Sequence, residues 1–394
     1  MVTSKIDECN TSNEESAHQV TGDQGGGYLM LKSLHAEKFR CFRDLELEDL
    51  RRVNIIVGDN ASGKTALLET LKMGLDGTPS SIPWMDQLRT IPCGMPLNPT
   101  EEQFRAQFIE FFYGFDTDAT IIIEIKDSNQ RTANVRIHFD PKAALTVPSA
   151  AEPIGFRVPA APPVPAQPIT IVPLAFERTD FQGRRSILIV TVNAQGQTFI
   201  QPGPPLGIVS SFVYSQYCGA PGENASWLSK LSVEKGKPWF LEAVRRHFPL
   251  IRDLTSETPM PGITAIYADL AHLPRKIPLS LVSGGISRLV TIILAIVAYR
   301  NGVVLIDEVE NGLFHSRFPM VWKTILDLAK RYETQLFIST HSNECLMGAV
   351  EAMASDPESF ALLRVRRADG SSMIDAFRGK QIEAALEKGG EVRD

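Results

Sequence analysis

The 394-residue sequence lacks several features that would place it in a specialised class. Its five cysteines, Cys9, Cys41, Cys93, Cys218 and Cys345, are odd in number, widely spaced and without a C-x-x-C pair. No disulfide framework or zinc site is therefore implied, and reduced cytoplasmic thiols are expected. Positive charge is not in excess either, since 40 Lys and Arg stand against 46 Asp and Glu for a net −6. No global field draws such a chain to nucleic acid or to an anionic membrane. Local pairs such as Arg51-Arg52, Arg184-Arg185 and Arg245-Arg246 read as solvated surface. The longest apolar run, Leu289 to Tyr299, is closed by Arg288 and Arg300, too short for a bilayer and suited to a buried helix. The opening residues MVTSKIDECNTSNEES hold no apolar signal core, and no heptad repeat persists, which excludes long coiled-coil arms.

What is present is material for a large core, with 43% hydrophobic residues. Residues 1–27 are polar, end in three glycines and are expected to form a disordered tail. Residues 28–118 carry short strands over Leu31 to Phe39 and Leu45 to Leu47, then Val53 to Val57, and later a helix from Glu101 to Tyr113. Residues 119–202 read as an inserted antiparallel unit. Ala119 to Lys126 and Ala133 to Phe139 form its hairpin, and a proline-rich loop lies between Pro141 and Pro173. A helical region over 203–300 follows, with helices over Ala225 to Leu231 and Pro238 to His247 and a strand over Ile263 to Leu270. In 301–394, apolar strands Val303 to Ile306 and Gln335 to Ser339 flank a helix from Arg317 to Arg331, with Ser316 as its expected cap. Apolar strands that end in polar residues and are separated by a helix predict an α/β fold with ligands at the strands' carboxyl ends.

The stretch VNIIVGDNASGKTALLETL, Val53 to Leu71, organises the rest. Gly58, four residues, then Gly63, Lys64 and Thr65 match the phosphate-loop pattern. Glycines let the backbone curl round an anion, and the following helix offers its positive end to the same charge. Lys64 would reach the β- and γ-phosphates, and the Thr65 hydroxyl would ligate Mg²⁺. Asp307, ending a buried strand, is a second metal ligand, and Glu308 beside it is placed to polarise a water. His341, at another strand end, is suited to bond the γ-phosphate or that water. Ser283-Gly284-Gly285 opens a helix and offers an anion site by geometry. A nucleotide already enclosed by its own phosphate loop leaves little room for that serine, so it is expected to serve a second protomer.

The set resembles ABC-type ATPases of the RecF, SMC and OLD group, in particular the small AAA-labelled ATPases of bacterial anti-phage defence operons. GDNASGKT is similar to Walker A, LVSGGIS to the signature, VVLIDEVENGLFHS to Walker B with the D-loop, and FISTHSNE to the His switch. The resemblance implies a P-loop ABC-type ATPase head over 28–394, with an antiparallel β subdomain and a helical signature subdomain. ATP with Mg²⁺ would lie on Gly58, Asn60, Ala61, Ser62, Gly63, Lys64 and Thr65. Two heads would close head-to-tail, with Ser283, Gly284 and Gly285 acting in trans, Glu308 as base, and Asn311 and Gly312 signalling across the dimer. Ile286 stands where transporter-type ATPases carry glutamine, and Gln103 and Gln107 are the candidates for the Q-loop. His315 resembles a recurrent position without a catalytic role.

OLD nucleases carry a metal-dependent nuclease domain after the ATPase, and the short stretch after His341 does not match one. The expected function is therefore a slow ATPase acting as a dimeric sensor or scaffold that controls a separate effector nuclease in antiviral defence. A RecF-like repair ATPase on duplex DNA, which the charge does not favour, and a nucleotide-binding regulator with little hydrolysis are the alternatives.

Overall fold

Four strands, Ser210–Val213, Val303–Ile306, Gln335–Ser339 and Val53–Val57, are buried at every position. Burial on both faces is the mark of strands inside a parallel sheet covered on each side. In the computed structural model, which describes residues 29–89, 97–147, 169–193, 195–215, 221–379 and 381–382, they lie side by side in that order. Phe360–Ala368 continues the parallel run beyond Val53–Val57, and Ser371–Arg378 closes the edge antiparallel. The expected tail over 1–27 and residues 148–168 of the proline-rich loop lie outside the described residues.

Alternation along each strand divides the core in two, as the two-residue period of a strand requires. Ile56, Val303, Leu305 and Phe337 face the helix Lys64–Asp76 and an antiparallel sheet. Ile55, Val304, Ile306, Leu336 and Ile338 face the helices Gly284–Ala298, Phe318–Arg331 and Asn343–Ser355. The antiparallel sheet has seven strands, in the order Thr198–Ile200, Arg185–Val192, Leu174–Thr179, Thr132–Phe139, Ile121–Asp127, Leu31–Phe39 and Phe42–Leu47. The β unit expected over 119–202 thus takes in the amino-terminal hairpin as well. Gln335 ties the layers together at the base of its strand. Its amide accepts from Leu31 N at 2.8 Å and donates to Leu31 O at 2.9 Å and Arg51 O at 2.8 Å.

Two expected helices differ. The first runs only over Glu101–Ala106, then breaks into short 3-10 turns, while Phe104, Phe108 and Phe112 still gather on Phe139. Aromatic packing therefore drew out a helix-like spacing that the backbone does not follow throughout. The second, Phe318–Arg331, is not capped by Ser316; it grows from a 3-10 turn over His315–Arg317 and has a proline in its first turn. The strand Ile251–Met260, not evident in the sequence, pairs antiparallel with Ile263–Leu270. Its exposed and polar positions give it no apolar run to be read from. The longest helix among the described residues has 15 residues, so no long coiled coil is present there, and none is long and apolar enough to cross a membrane.

Helix Lys237–His247 ends on a fully buried histidine. The Thr324 hydroxyl donates to Met320 O, so it accepts from His247 Nε2–H at 2.9 Å. Nδ1 is buried without a partner among the described residues. Desolvation, with smaller contributions from Arg317 and Arg246, pushes the imidazole pKa down from 6.5 to about 4. A depressed histidine pKa means that the unfolded chain takes up the proton first as pH falls, so stability is lost on acidification through that interval. Urea unfolding should show the loss between about pH 6.5 and 4, worth about 3 kcal/mol from this group. His247→Gln should flatten the profile there, and an unchanged slope would contradict the assignment.

Candidate nucleotide and metal site

The phosphate loop takes its shape from backbone that side chains would block. Gly58 and Gly63 have φ of +144° and +116°, and a Cβ on Gly58 would sit 2.2 Å from Val365 O. On Gly63 it would sit 2.8 Å from Cys41 Sγ and 2.9 Å from Ser372 Oγ. Ala61 also lies in the left-handed region, at φ 63°. Ser372 Oγ donates to Ser62 O at 2.6 Å, so the carboxyl-terminal hairpin braces the loop from behind. Lys64 Nζ donates to Gly58 O at 2.7 Å and Asp59 O at 2.8 Å, which folds the lysine back over the loop. Burial lowers the Lys64 pKa, against the pull of Asp307, Glu308, Glu310 and Asp59. A buried cation facing carbonyls and a curled backbone is chemistry that a polyphosphate would complete.

The two proposed metal ligands meet. Thr65 Oγ1 lies 3.2 Å from both Asp307 oxygens although 242 residues separate them in the chain. Ser339 Oγ donates to Asp307 Oδ1 at 2.6 Å and accepts from Glu308 N at 2.8 Å. Asp307 is pushed up chiefly by burial and by Glu308, while the Ser339 and Thr65 bonds and Arg288 oppose the shift. Hydroxyl and carboxylate form a hard-oxygen pair of the kind Mg²⁺ takes. An ion held there would supply positive charge to neutralise a bound phosphate.

Glu308 stands at the next position with φ 49°, unusual for a residue with a side chain and typical of strained functional backbone. Arg288, only 2% exposed inside an otherwise apolar helix, holds this turn by donating to Tyr214 O, Asp307 O and Glu308 O. The Glu308 carboxylate accepts from Asn311 Nδ2 at 2.7 Å on Oε2, and its Oε1 lies 3.6 Å from His341 Nδ1. Lys64, Thr65, Asp307, Glu308 and His341 therefore converge, as the sequence pattern predicts.

Ser283 does not join them. It is the extended cap residue of helix Gly284–Ala298, and its backbone oxygen accepts from Ser287 N and Ser287 Oγ within that helix. A Cβ on Gly285 would lie 2.0 Å from Gly312 O, so the signature glycine is packed on the D-loop glycine of its own chain. Gln103 and Gln107 are elsewhere too. Gln103 Oε1 accepts from Thr100 N at 2.9 Å in a capping box, and Gln107 Nε2 donates to Gln103 O. Their side chains serve the helix, so neither fits the Q-loop role. His315 is exposed and stacked on Phe314, apart from this chemistry. Sequence reading missed Ser339, Arg288 and Glu310. Each is a polar residue in or just after an apolar element, a signal that marks a buried polar role without naming its partner.

Two domain models and several known proteins resemble this chain. An AAA domain model matches residues 33–152, and an AAA ATPase domain model matches residues 268–346. A Helicobacter pylori protein named ATP/GTP phosphatase is 23% identical over 350 residues, covering 80% of this chain and 86% of its own. An uncharacterized protein of Methanocaldococcus jannaschii is 41% identical over 46 residues, covering 12% of this chain and 21% of its own. The SMC head domain from Thermotoga maritima is similar over 88% of this chain and 98% of its own, at 13% identity and a TM-score of 0.41. An SMC head bound to the C-terminal winged-helix domain of ScpA covers 91% of this chain and 99% of its own, at 13% identity and a TM-score of 0.44. The topology, the site and the two domain matches define the class, an AAA-type P-loop ATPase with an α/β head.

Mg-ATP should raise the melting temperature of such a protein. Ligand at about 100 times its dissociation constant stabilises the fold by about 2.7 kcal/mol. Lys64→Ala should abolish the rise in differential scanning fluorimetry, and a shift equal to that of the unmodified chain would contradict the site.

Proposed function

We propose that the chain binds and slowly hydrolyses ATP with Mg²⁺, and that a second copy completes each site. The observation that carries the reading is the separation of two half-sites within one chain. Lys64, Thr65, Asp307, Glu308 and His341 converge, whereas Ser283 at the helix start is bonded within its own helix, which packs through Gly285 on Gly312. Two exposed apolar residues flank that packing, Leu281 at 73% and Phe314 at 65%. Large apolar side chains left in water beside a polar rim suit a contact with another protein surface.

In this reading Lys64 and the loop N–H groups hold the phosphates, and Thr65 with Asp307 holds the metal. Glu308 accepts a proton from the attacking water, and His341 helps to position that water. Asn311, already on Glu308, reports the arrival of the partner through the D-loop it belongs to. ATP thus acts as joint and timer for a cytoplasmic homodimer or higher oligomer. The finer role, a sensor or scaffold that controls a separately encoded effector in bacterial antiviral defence, is supported by the motif resemblance.

Glu308→Gln separates the base from the binding site. Its steady-state turnover should fall by about 100-fold or more while nucleotide affinity persists. Light scattering in Mg-ATP should then show a larger dimer fraction than for the unmodified chain. An unchanged turnover rate would contradict Glu308 as the base and leave a nucleotide-binding regulator.

A further inference from the structure

Glu310 is a carboxylate that the reaction outlined above does not use. It is 8% exposed and lies two residues past Glu308 in the turn after the strand Val303–Ile306. Its Oε1 accepts from His341 N at 2.7 Å and from Ser342 N at 3.2 Å, and His341 Nδ1 lies 3.0 Å away. Two backbone donors and a ring nitrogen thus surround one acceptor oxygen, while Oε2 is buried and unpartnered among the described residues. The helix Asn343–Ser355 begins at Ser342, so its positive end faces the same anion and lessens the cost of burying it.

The His341 ring stands between two carboxylates, 3.0 Å from Glu310 and 3.6 Å from Glu308. Resting on the ATPase reading above, we propose that Glu310 is the positioning residue of His341. It takes the Nδ1 proton and the backbone N–H of the same residue, and so fixes both the tautomer and the ring plane. Two consequences follow from that choice of proton. Nε2 is then the unprotonated ring atom, an acceptor for a hydrogen of the water, and Glu308 Oε1 keeps its lone pairs for the same water because the imidazole proton is spent on Glu310. Removing the Glu310 charge would let the Nδ1 proton pass to Glu308, the group that has to remain an acceptor.

Glu310→Gln preserves the shape and leaves an amide oxygen for the backbone donors. In the full chain, kcat for Mg-ATP should fall by about 10- to 100-fold, the range for losing an outer-shell partner of a histidine, with KM and nucleotide affinity little changed. In a His341→Ala background the same change should have no further effect on kcat. An equal loss in both backgrounds, or none in the folded single variant, overturns the proposal. Nitrogen-15 NMR of the unmodified protein with labelled histidine tests it without any substitution at Glu310. The His341 signal, assigned by its disappearance in His341→Ala, should show a protonated Nδ1, and a bare Nδ1 overturns the proposal. If the unmodified chain neither binds nor turns over Mg-ATP, it is the ATPase reading that fails, whereas the NMR result still reports on Glu310.

Discussion

Thr65 Oγ1 lies 3.2 Å from both oxygens of Asp307, and the rest of the architecture is what makes that approach possible. The two residues follow strands that do not touch. Val53–Val57 and Val303–Ile306 are separated in the parallel sheet by Gln335–Ser339, which pairs with each of them. The intervening strand contributes Ser339, whose hydroxyl binds the Asp307 carboxylate and the Glu308 amide together. Asp307, Glu308 and the phosphate loop are therefore positioned by strand order, and a one-residue shift in the register of Gln335–Ser339 would turn Ser339 to the opposite face.

The parts of the site visible in the sequence are those written locally. Val53–Val57, Val303–Ile306 and Gln335–Ser339 can be read because burial on both faces demands unbroken apolar runs, each ending where the polar chemistry begins. The phosphate loop can be read because its glycines answer to backbone geometry within a few residues. Other features depend on long-range pairing and leave no local mark. Ser372 reaches Ser62 across 310 residues, and Arg288 finds carbonyls at 214, 307 and 308 only once the signature helix has docked. Gln103 shows the opposite error. A glutamine near an aromatic helix invites a site assignment, yet its amide is spent on the cap formed with Thr100.

Polar groups inside apolar elements carry the functional coupling. Arg288 would cost several kcal/mol to bury without partners, and its partners are the backbone of the catalytic turn. The helix that offers Ser283 at its start thus grips Asp307 and Glu308 one and a half turns further on. Gly285 against Gly312 makes a second link between the same segments. The Ser283 end of that helix is thus joined through Arg288 and Gly285 to the turn that carries Glu308, the linkage that the proposed nucleotide-timed dimer requires.

The central claim is that one chain holds half of each site and a second copy holds the rest. Mixing two inactive variants tests it most directly. Lys64→Ala loses the phosphate loop but keeps its signature, whereas Ser283→Arg keeps the phosphate loop but loses the signature. In a mixed dimer one composite site retains both intact halves, so combining the two proteins should restore Mg-ATP turnover well above either alone. If turnover stays at the sum of the separate variants at every ratio, while both remain folded and able to associate, the site is complete within a single chain and the account is wrong.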